Sequence, residues 1–432
     1  MSWLDFTIAT NAKTLSKIST TLGLGAGATW PGEMALRFKP DILSSLLSGL
    51  KKGIIIVAGT TGKTTTALMT TTILEAQGYK VIHNASGANL ENGIVSALIN
   101  KANWQGKTDA DWGVFEVDEN SLPIVIKSIK SVKSKVIIVL LNLFRDQLDR
   151  YGEVDVIAQK WQKSLESLES LESLESLDRK TRNIDDVTII ANADDPLIAH
   201  LGMHAHLSVT YFGINDKTKY LGAMEHATDS IFCLNCSTRL QYEGVYYSHI
   251  GIWKCPTCGE TRPTPDIHMA VSPLPGLYNM YNTLAAVAVA QLLDIKQKTI
   301  NTALAGFTPA FGRQEVIGDV TIFLSKNPAG FNESLRTVIQ LHAKSILLAL
   351  NDRTPDGRDV SWIWDVDFEM LPKNITIFVT GDRALDMAVR LKYGEHSVKI
   401  VSEIPRVPNL FVLATYSAML DVRKQLIGKK IL

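Results

Sequence analysis

The stretch Lys52-Gly-Ile-Ile-Ile-Val-Ala-Gly-Thr-Thr-Gly-Lys-Thr-Thr-Thr66 limits what this chain can become more than any other part of it. Its uninterrupted apolar run suits a strand buried on both faces of a parallel sheet. The run closes in glycine, and a helical segment is expected to follow at once, from about Lys63 to Gln77. A strand, a glycine turn and a helix in direct succession open an α/β layer. The same turn carries chemistry. Glycines let backbone N–H groups close around a phosphate, and the helix N-terminus adds partial positive charge. Gly59, Thr60, Gly62, Lys63, Thr64 and Thr65 therefore read as a nucleotide-phosphate loop. Lys63 would reach the β- and γ-phosphates of ATP, and the Thr64 hydroxyl would hold Mg2+. The full phosphate-loop spacing would put a glycine where this chain has Val57.

Further buried-strand patterns recur at Tyr79–Asn84, Gly113–Val117, Lys135–Asn142 and Val187–Asn192, separated by helix-length segments. They predict an α/β central domain with a mainly parallel sheet over residues 51–315, and a leader over 1–50 packing on it in short helices. From about Val316 the pattern resumes in Thr321–Ser325, Ser345–Leu350, Ile375–Gly381 and Leu410–Ala414. Residues 316–432 are thus expected to form a smaller Rossmann-like α/β domain. A length of 432 residues suits such a division, at roughly 100–200 residues per domain.

Lys+Arg and Asp+Glu number 44 each, which excludes a generally basic nucleic-acid binder. With neither a secretory signal nor a long apolar span in view, a cytoplasmic protein is expected.

Magnesium needs a second oxygen ligand. Glu116 and Asp118 stand at the carboxyl end of a strand, where open α/β sheets place ligands, and Glu116 is the favoured one. Asn142-Leu-Phe-Arg-Asp-Gln-Leu-Asp-Arg-Tyr-Gly152 follows another strand, and its charges suit phosphate handling or surface ion pairs. Asn192-Ala-Asp-Asp-Pro196 fits either a ligand loop or a turn with a helix cap.

The only cysteines are Cys233, Cys236, Cys255 and Cys258. Two Cys-x-x-Cys knuckles in a reducing compartment predict a closed, structural tetrahedral Zn2+ site in an insertion over 229–262. The nine histidines are read as core or surface residues, outside any metal constellation. Ser164 to Asp178 repeats Ser-Leu-Glu with a period of three, which drifts around a 3.6-residue helix. It predicts a solvated helical extension or loop. Asp352, Asp356, Asp359, Asp365 and Asp367, beside Trp362 and Trp364, look like an interaction or catalytic surface.

Taken together, the Gly-Thr-Thr-Gly-Lys-Thr-Thr loop, Glu116, Asn192-Ala-Asp-Asp-Pro and Leu274-Pro-Gly-Leu-Tyr-Asn-Met-Tyr-Asn282 resemble the Mur ligases, which join amino acids to peptidoglycan precursors. The knuckles, Lys326-Asn-Pro-Ala-Gly-Phe-Asn and Asp356-Gly-Arg-Asp-Val-Ser-Trp-Ile-Trp-Asp narrow the resemblance to the MurT branch of that family. It implies ATP-dependent amidation of the D-glutamate α-carboxylate in the lipid II stem peptide, with ammonia from a GatD-type glutaminase partner. The work would be done at the inner membrane face. It also implies that Asn279 or Asn282 meets the adenine. Asp359 would complete the partner's Cys–His pair as a triad. Where Mur ligases carry a histidine this chain has Gln147, and their carbamylated lysine has no evident counterpart.

The residues agree with this division of labour. Hydrolysing glutamine normally requires a cysteine nucleophile, and all four cysteines are claimed by the knuckles. The competing readings are a stand-alone Mur-type or polyglutamate ligase and a zinc-bearing ATP-binding regulatory module.

Overall fold

A computed structural model of the chain describes residues 29–84, 88–103, 108–146, 153–169 and 186–428. Its first sheet has the order β2-β3-β1-β4-β5-β6 and is parallel throughout. The strands are β1 (Gly53–Ala58), β2 (Val81–His83), β3 (Trp112–Val117), β4 (Lys135–Leu140), β5 (Val187–Asn192) and β6 (Ser208–Phe212). β1 is buried at every position because both faces of the sheet are covered. Ile54, Ile56 and Ala58 enter one core and Ile55 and Val57 the other, as alternation along a strand demands.

Helices α1 (Trp30–Phe38), α2 (Ile42–Leu47), α4 (Glu91–Lys101), α5 (Leu122–Ile129), α6 (Val154–Glu169) and α7 (Pro196–His204) cover the first face. Helices α3 (Lys63–Ala76), α8 (Leu277–Leu292) and α9 (Gln297–Ala305) cover the second. Residues 29–50 of the expected leader therefore pack on the central sheet. Gly32 lies so close to α4 that a Cβ there would meet Asn92 O at 1.9 Å.

The chain leaves β1 for the β2 edge, returns through β3 and crosses to β4. The topological switch point lies at the carboxyl end of β1, where open α/β sheets bind ligands.

A hairpin of β7 (Gln241–Tyr247) and β8 (Ile250–Lys254) carries the cysteine segment. The second sheet has the order β13-β12-β11-β14-β10-β9. Its members are β9 (Arg313–Ile317), β10 (Val320–Leu324), β11 (Ser345–Ala349), β12 (Thr376–Thr380), β13 (Val398–Ile400) and β14 (Leu410–Ala414), parallel except for β9. Helices α10 (Pro328–Gln340), α11 (Ala384–Tyr393) and α12 (Tyr416–Ile427) flank it. Arg313 already belongs to this sheet, so its first strand starts just ahead of Val316.

The expectation of a solvated Ser-Leu-Glu repeat is corrected where the repeat is described. Its first two units lie in α6, and Leu165 and Leu168 are buried with Ile157, Ala158 and Trp161. Over two repeats, i to i+3 spacing still leaves both leucines on one face, and the drift matters only over longer runs. The remaining units, like Gln147 and residues 1–28, lie outside the described residues.

Candidate active site

The phosphate-type loop has the geometry its glycines allow. Gly59 and Gly62 adopt φ of 148° and 85°, conformations disfavoured for other residues. A Cβ at Gly62 would fall 2.1 Å from Asn282 Oδ1 on α8, so both dihedral and space require glycine. Asn142, at the end of β4, clamps the loop: its Oδ1 accepts from Thr61 N at 2.9 Å, and its carbonyl accepts from Thr60 N at 3.0 Å.

Two residues singled out from sequence as Mg2+ ligands meet. Thr64 Oγ1 donates to Glu116 Oε2 at 2.6 Å. Asn84, at the end of β2, fixes Glu116 by accepting from its N–H at 3.0 Å and donating to its carbonyl at 2.9 Å. Asp118 instead shapes the turn, accepting from Asn120 N at 3.1 Å. Thr65 is buried behind the loop. The Lys63 ammonium folds back to donate to Gly59 O at 2.5 Å and pairs with Glu119 at 3.2 Å.

The second domain supplies the opposite wall. Lys326 follows β10 and pairs with the buried Asp146 carboxylate at the end of the β4 loop. Asn327 caps α10 by accepting from Gly330 N at 2.8 Å. A Cβ on Gly330 would lie 3.9 Å from Thr61 Cγ2, so the first turn of α10 sits over the loop that starts α3. Two helix N-termini thus border one space, an arrangement that favours anions.

The charges here are mutually dependent. Burial pushes the Glu119 carboxyl up, but Lys63 and Lys326 outweigh it and hold the group below its usual range. For Asp146 burial wins over Lys326 and the carboxyl is raised. Lys326 is lowered by burial yet raised further by Asp146 and Glu119, for a net rise. Arg313 is lowered by burial in spite of its attraction to Glu116. The site therefore balances Lys63, Lys326 and Arg313 against Glu116, Glu119 and Asp146.

The remaining expected positions have defined partners. Asn279 and Asn282 are buried on α8: Asn282 Nδ2 donates to Asn279 Oδ1 at 3.2 Å, and Asn282 Oδ1 accepts from Thr66 Oγ1 at 3.3 Å. In Asn192-Ala-Asp-Asp-Pro the turn-and-cap alternative holds, with Asp195 Oδ1 accepting from Leu197 N at 2.9 Å and Ile198 N at 3.2 Å. Asp194 is wholly buried against Arg262 Nε at 2.5 Å and Tyr281 OH at 2.6 Å, which ties the cysteine insertion to the sheet. Arg145 pairs with Asp229 and, at 3.1 Å, with Asp365 across the domains.

The acid-rich loop does not act as one surface. Asp356 is buried and accepts from Ser417 N at 2.8 Å, Asp352 pairs with Arg383 at 3.2 Å, and Asp367 accepts from Asn332 at 2.9 Å. Asp359 alone of these stands exposed on the loop, accepting from Ser361 N at 2.8 Å and Ser361 Oγ at 3.0 Å. Those bonds hold its carboxyl below the usual range. It lines an open depression of about 430 Å3 with Arg383, Leu385 and Val389, and no phosphate-loop residue borders that depression.

The cysteines converge. All four Sγ atoms lie within 4.8 Å of one another, with Cys233–Cys258 at 3.5 Å and Cys236–Cys255 at 3.4 Å. Zn–S bonds of about 2.3 Å in a tetrahedron require about 3.8 Å between sulfurs, against about 2.05 Å in a disulfide. The donor set thus fits zinc. Each knuckle is followed by a left-handed residue, Ser237 at φ 57° and Gly259 at φ 82°, which turns the backbone around the sulfurs.

The reading of the histidines is overturned at one place. His200 and His204, four residues apart on α7, converge with Glu260 into a second donor cluster. The spacing was visible in the sequence. Glu260, sixty residues further on, is brought in only by the fold. Sequence reasoning also missed Asn84 and Arg313 as wall residues and had Lys326 only within a motif; Asn84 directly follows β2, Arg313 opens β9 and Lys326 lies two residues past β10, which was the available signal.

A family model described as the Mur ligase middle domain matches residues 57–290, and one described as the MurT ligase C-terminal domain matches 324–419. The subunit MurT of lipid II isoglutaminyl synthase (glutamine-hydrolyzing) from Staphylococcus aureus (strain COL) is 32% identical over 418 residues, covering 91% of this chain and 88% of its own. Its counterpart from Streptococcus pneumoniae (strain ATCC BAA-255 / R6) is 31% identical over 446 residues, covering 94% of each chain. Among solved structures, a pseudomurein peptide ligase type C from Methanothermus fervidus superposes with a TM-score of 0.64 at 18% identity, covering 88% of this chain and 79% of its own. MurF ligase from Thermotoga maritima in complex with ADP gives 0.57 at 12% identity, covering 91% and 84%.

Proposed function

The chain belongs to the MurT family of Mur-type ligases, and from that premise we propose that it is the ligase subunit of a lipid II isoglutaminyl synthase. It amidates the α-carboxylate of the D-glutamate in the lipid II stem peptide. An oxygen of that carboxylate attacks the terminal phosphorus of ATP, the bond to the bridging oxygen breaks, and ADP leaves. Ammonia then adds to the acyl carbon, gives up a proton and displaces inorganic phosphate, leaving the amide.

The observation that carries this reading is the contact of Thr64 with Glu116 at 2.6 Å, walled by Lys63 and by Lys326 from the second domain. Thr64 and Glu116 would hold Mg2+, which when bound neutralises charge on the phosphates. Lys63, held meanwhile by Gly59 O and Glu119, would turn to the terminal phosphates. Lys326 and the start of α10 would face the transferred group. Asn279 and Asn282, packed behind the loop, are the proposed adenine-side residues. Residues 51–315 and 316–432 act as two domains closing on the acyl phosphate, which keeps water from a hydrolysable species.

Nitrogen has to be imported. The four cysteines form one cluster suited to Zn2+, leaving no thiol for glutamine hydrolysis. A GatD-type glutaminase would provide the Cys–His pair, with Asp359 orienting its histidine. The exposed Asp359 supports this, as do the neighbouring side chains of Leu385 and Val389, 71% and 48% exposed. Among the described residues no helix is long and apolar enough to cross a membrane; the lipid II substrate places the reaction at the inner membrane face. Lys63→Ala tests the reading: ammonium-driven amidation should fall at least about a hundredfold, assayed below a melting temperature that drops because the buried Glu119 loses its cation. Unchanged turnover would remove the phosphate-loop role.

A further inference from the structure

We propose that His200, His204 and Glu260 form a second metal site, of zinc type and with one open position, beside the four-cysteine cluster. The three side chains come from two elements. His200 and His204 share one face of α7, four residues apart, and Glu260 directly follows the second knuckle. Cys255 N donates to Glu260 O at 2.7 Å, so the knuckle itself sets where Glu260 stands.

The donor atoms converge rather than merely neighbour one another. His200 Nδ1 and His204 Nε2 point at the same carboxylate oxygen, Glu260 Oε1, at 3.0 and 2.7 Å, and the ring centroids are 4.1 Å apart. Zinc bonds of about 2.0–2.2 Å to nitrogen and oxygen place tetrahedral donors about 3.3 Å apart. Small side-chain rotations therefore open this triangle enough for an ion. His200 and Glu260 are nearly enclosed, whereas the His204 side chain is 41% exposed, which leaves a path for the ion and a fourth position for water.

Charge argues the same way. Four thiolates around Zn2+ carry a net charge of about −2, and Glu260 Oε2 lies 3.4 Å from Cys233 Sγ. A carboxylate beside that centre is repelled unless a cation holds its other oxygen. His204 also closes the last turn of α7, where the helix end carries partial negative charge. A cation here joins α7, whose cap lies at the end of β5, to the cysteine insertion, a ribbon built on the β7–β8 hairpin, and so pins that ribbon to the central domain.

The test uses the full chain, stripped of metal under reducing conditions and titrated with Co2+, then with Zn2+ and mass-spectrometric metal counting. Two equivalents are expected in the wild type. The first should show strong thiolate-to-cobalt charge transfer and the second only weak ligand-field bands. His204→Ala, at an exposed position, and Glu260→Gln should each bind one equivalent and keep the charge-transfer bands. A wild type that saturates at one equivalent would overturn the proposal, as would variants that still bind two. Loss of the charge-transfer bands alone would instead count against the cysteine site, so the two failures are distinguishable.

Discussion

Removing Lys326 should cost both stability and turnover, and a second substitution should separate the two. Its ammonium is the partner of Asp146, whose side chain is 3% exposed, and it also acts on Glu119. In Lys326→Met, Asp146 keeps its burial and loses its cation. Stripping one partner from a buried pair destabilises by about 3–5 kcal/mol. Because the Lys326 side chain is 33% exposed, the lower end applies, about 3 kcal/mol. Urea unfolding should show this as a lower midpoint at unchanged slope. In Lys326→Met/Asp146→Asn the orphaned charge is gone, and most of the lost stability should return. Turnover should not. Ammonium-driven amidation should stay about a hundredfold or more below wild type in both variants, because the second domain's cation is missing from the phosphate wall. A single variant as stable as wild type, or a double variant restored in activity, would refute the argument.

Asp359→Asn should abolish glutamine-driven amidation in the reconstituted complex, by about 10⁴-fold as for a triad acid made an amide, while ammonium-driven amidation survives. Equal loss of both activities would assign Asp359 to the ligase centre. Glu333 is buried, and its carboxyl is pushed up to about 7 by burial, only partly offset by Arg336. A raised carboxyl binds more protons in the folded state, so stability should fall as pH rises from about 4.5 to about 7, by up to roughly 3 kcal/mol. Glu333→Gln should flatten that slope in urea titrations, and an unchanged slope would point to another group. Chelating zinc should destabilise the ribbon, read as faster proteolysis within 229–262, whereas native protein with no zinc would refute the knuckle assignment.

The sequence made the scaffold legible where physics is local. An apolar run of strand length closing in glycine leaves few options for β1 and its loop, and paired Cys-x-x-Cys spacings leave few for the ribbon. What could not be read depends on distance along the chain. The acids from Asp352 to Asp367 looked like one surface, but the fold sends Asp356 into Ser417, Asp365 to Arg145 and Asp367 to Asn332. Only Asp359 keeps an open outlook. Leu165 and Leu168 were misjudged because a drifting period counts against long stripes, whereas two leucines need only one contact patch. Lys326 and Asp146 each stood in a quoted motif, but they lie in different domains and their pairing could not be read from the sequence.

The proposed reaction needs an acid activated in this chain by ATP and nitrogen arriving from elsewhere. The most direct test supplies the purified chain alone with ATP, Mg2+ and lipid II, and measures stem-peptide amidation by mass spectrometry with either ammonium or glutamine. Amide formed with ammonium and none with glutamine is the expected result; glutamate released from glutamine, or no amide with ammonium, would contradict it.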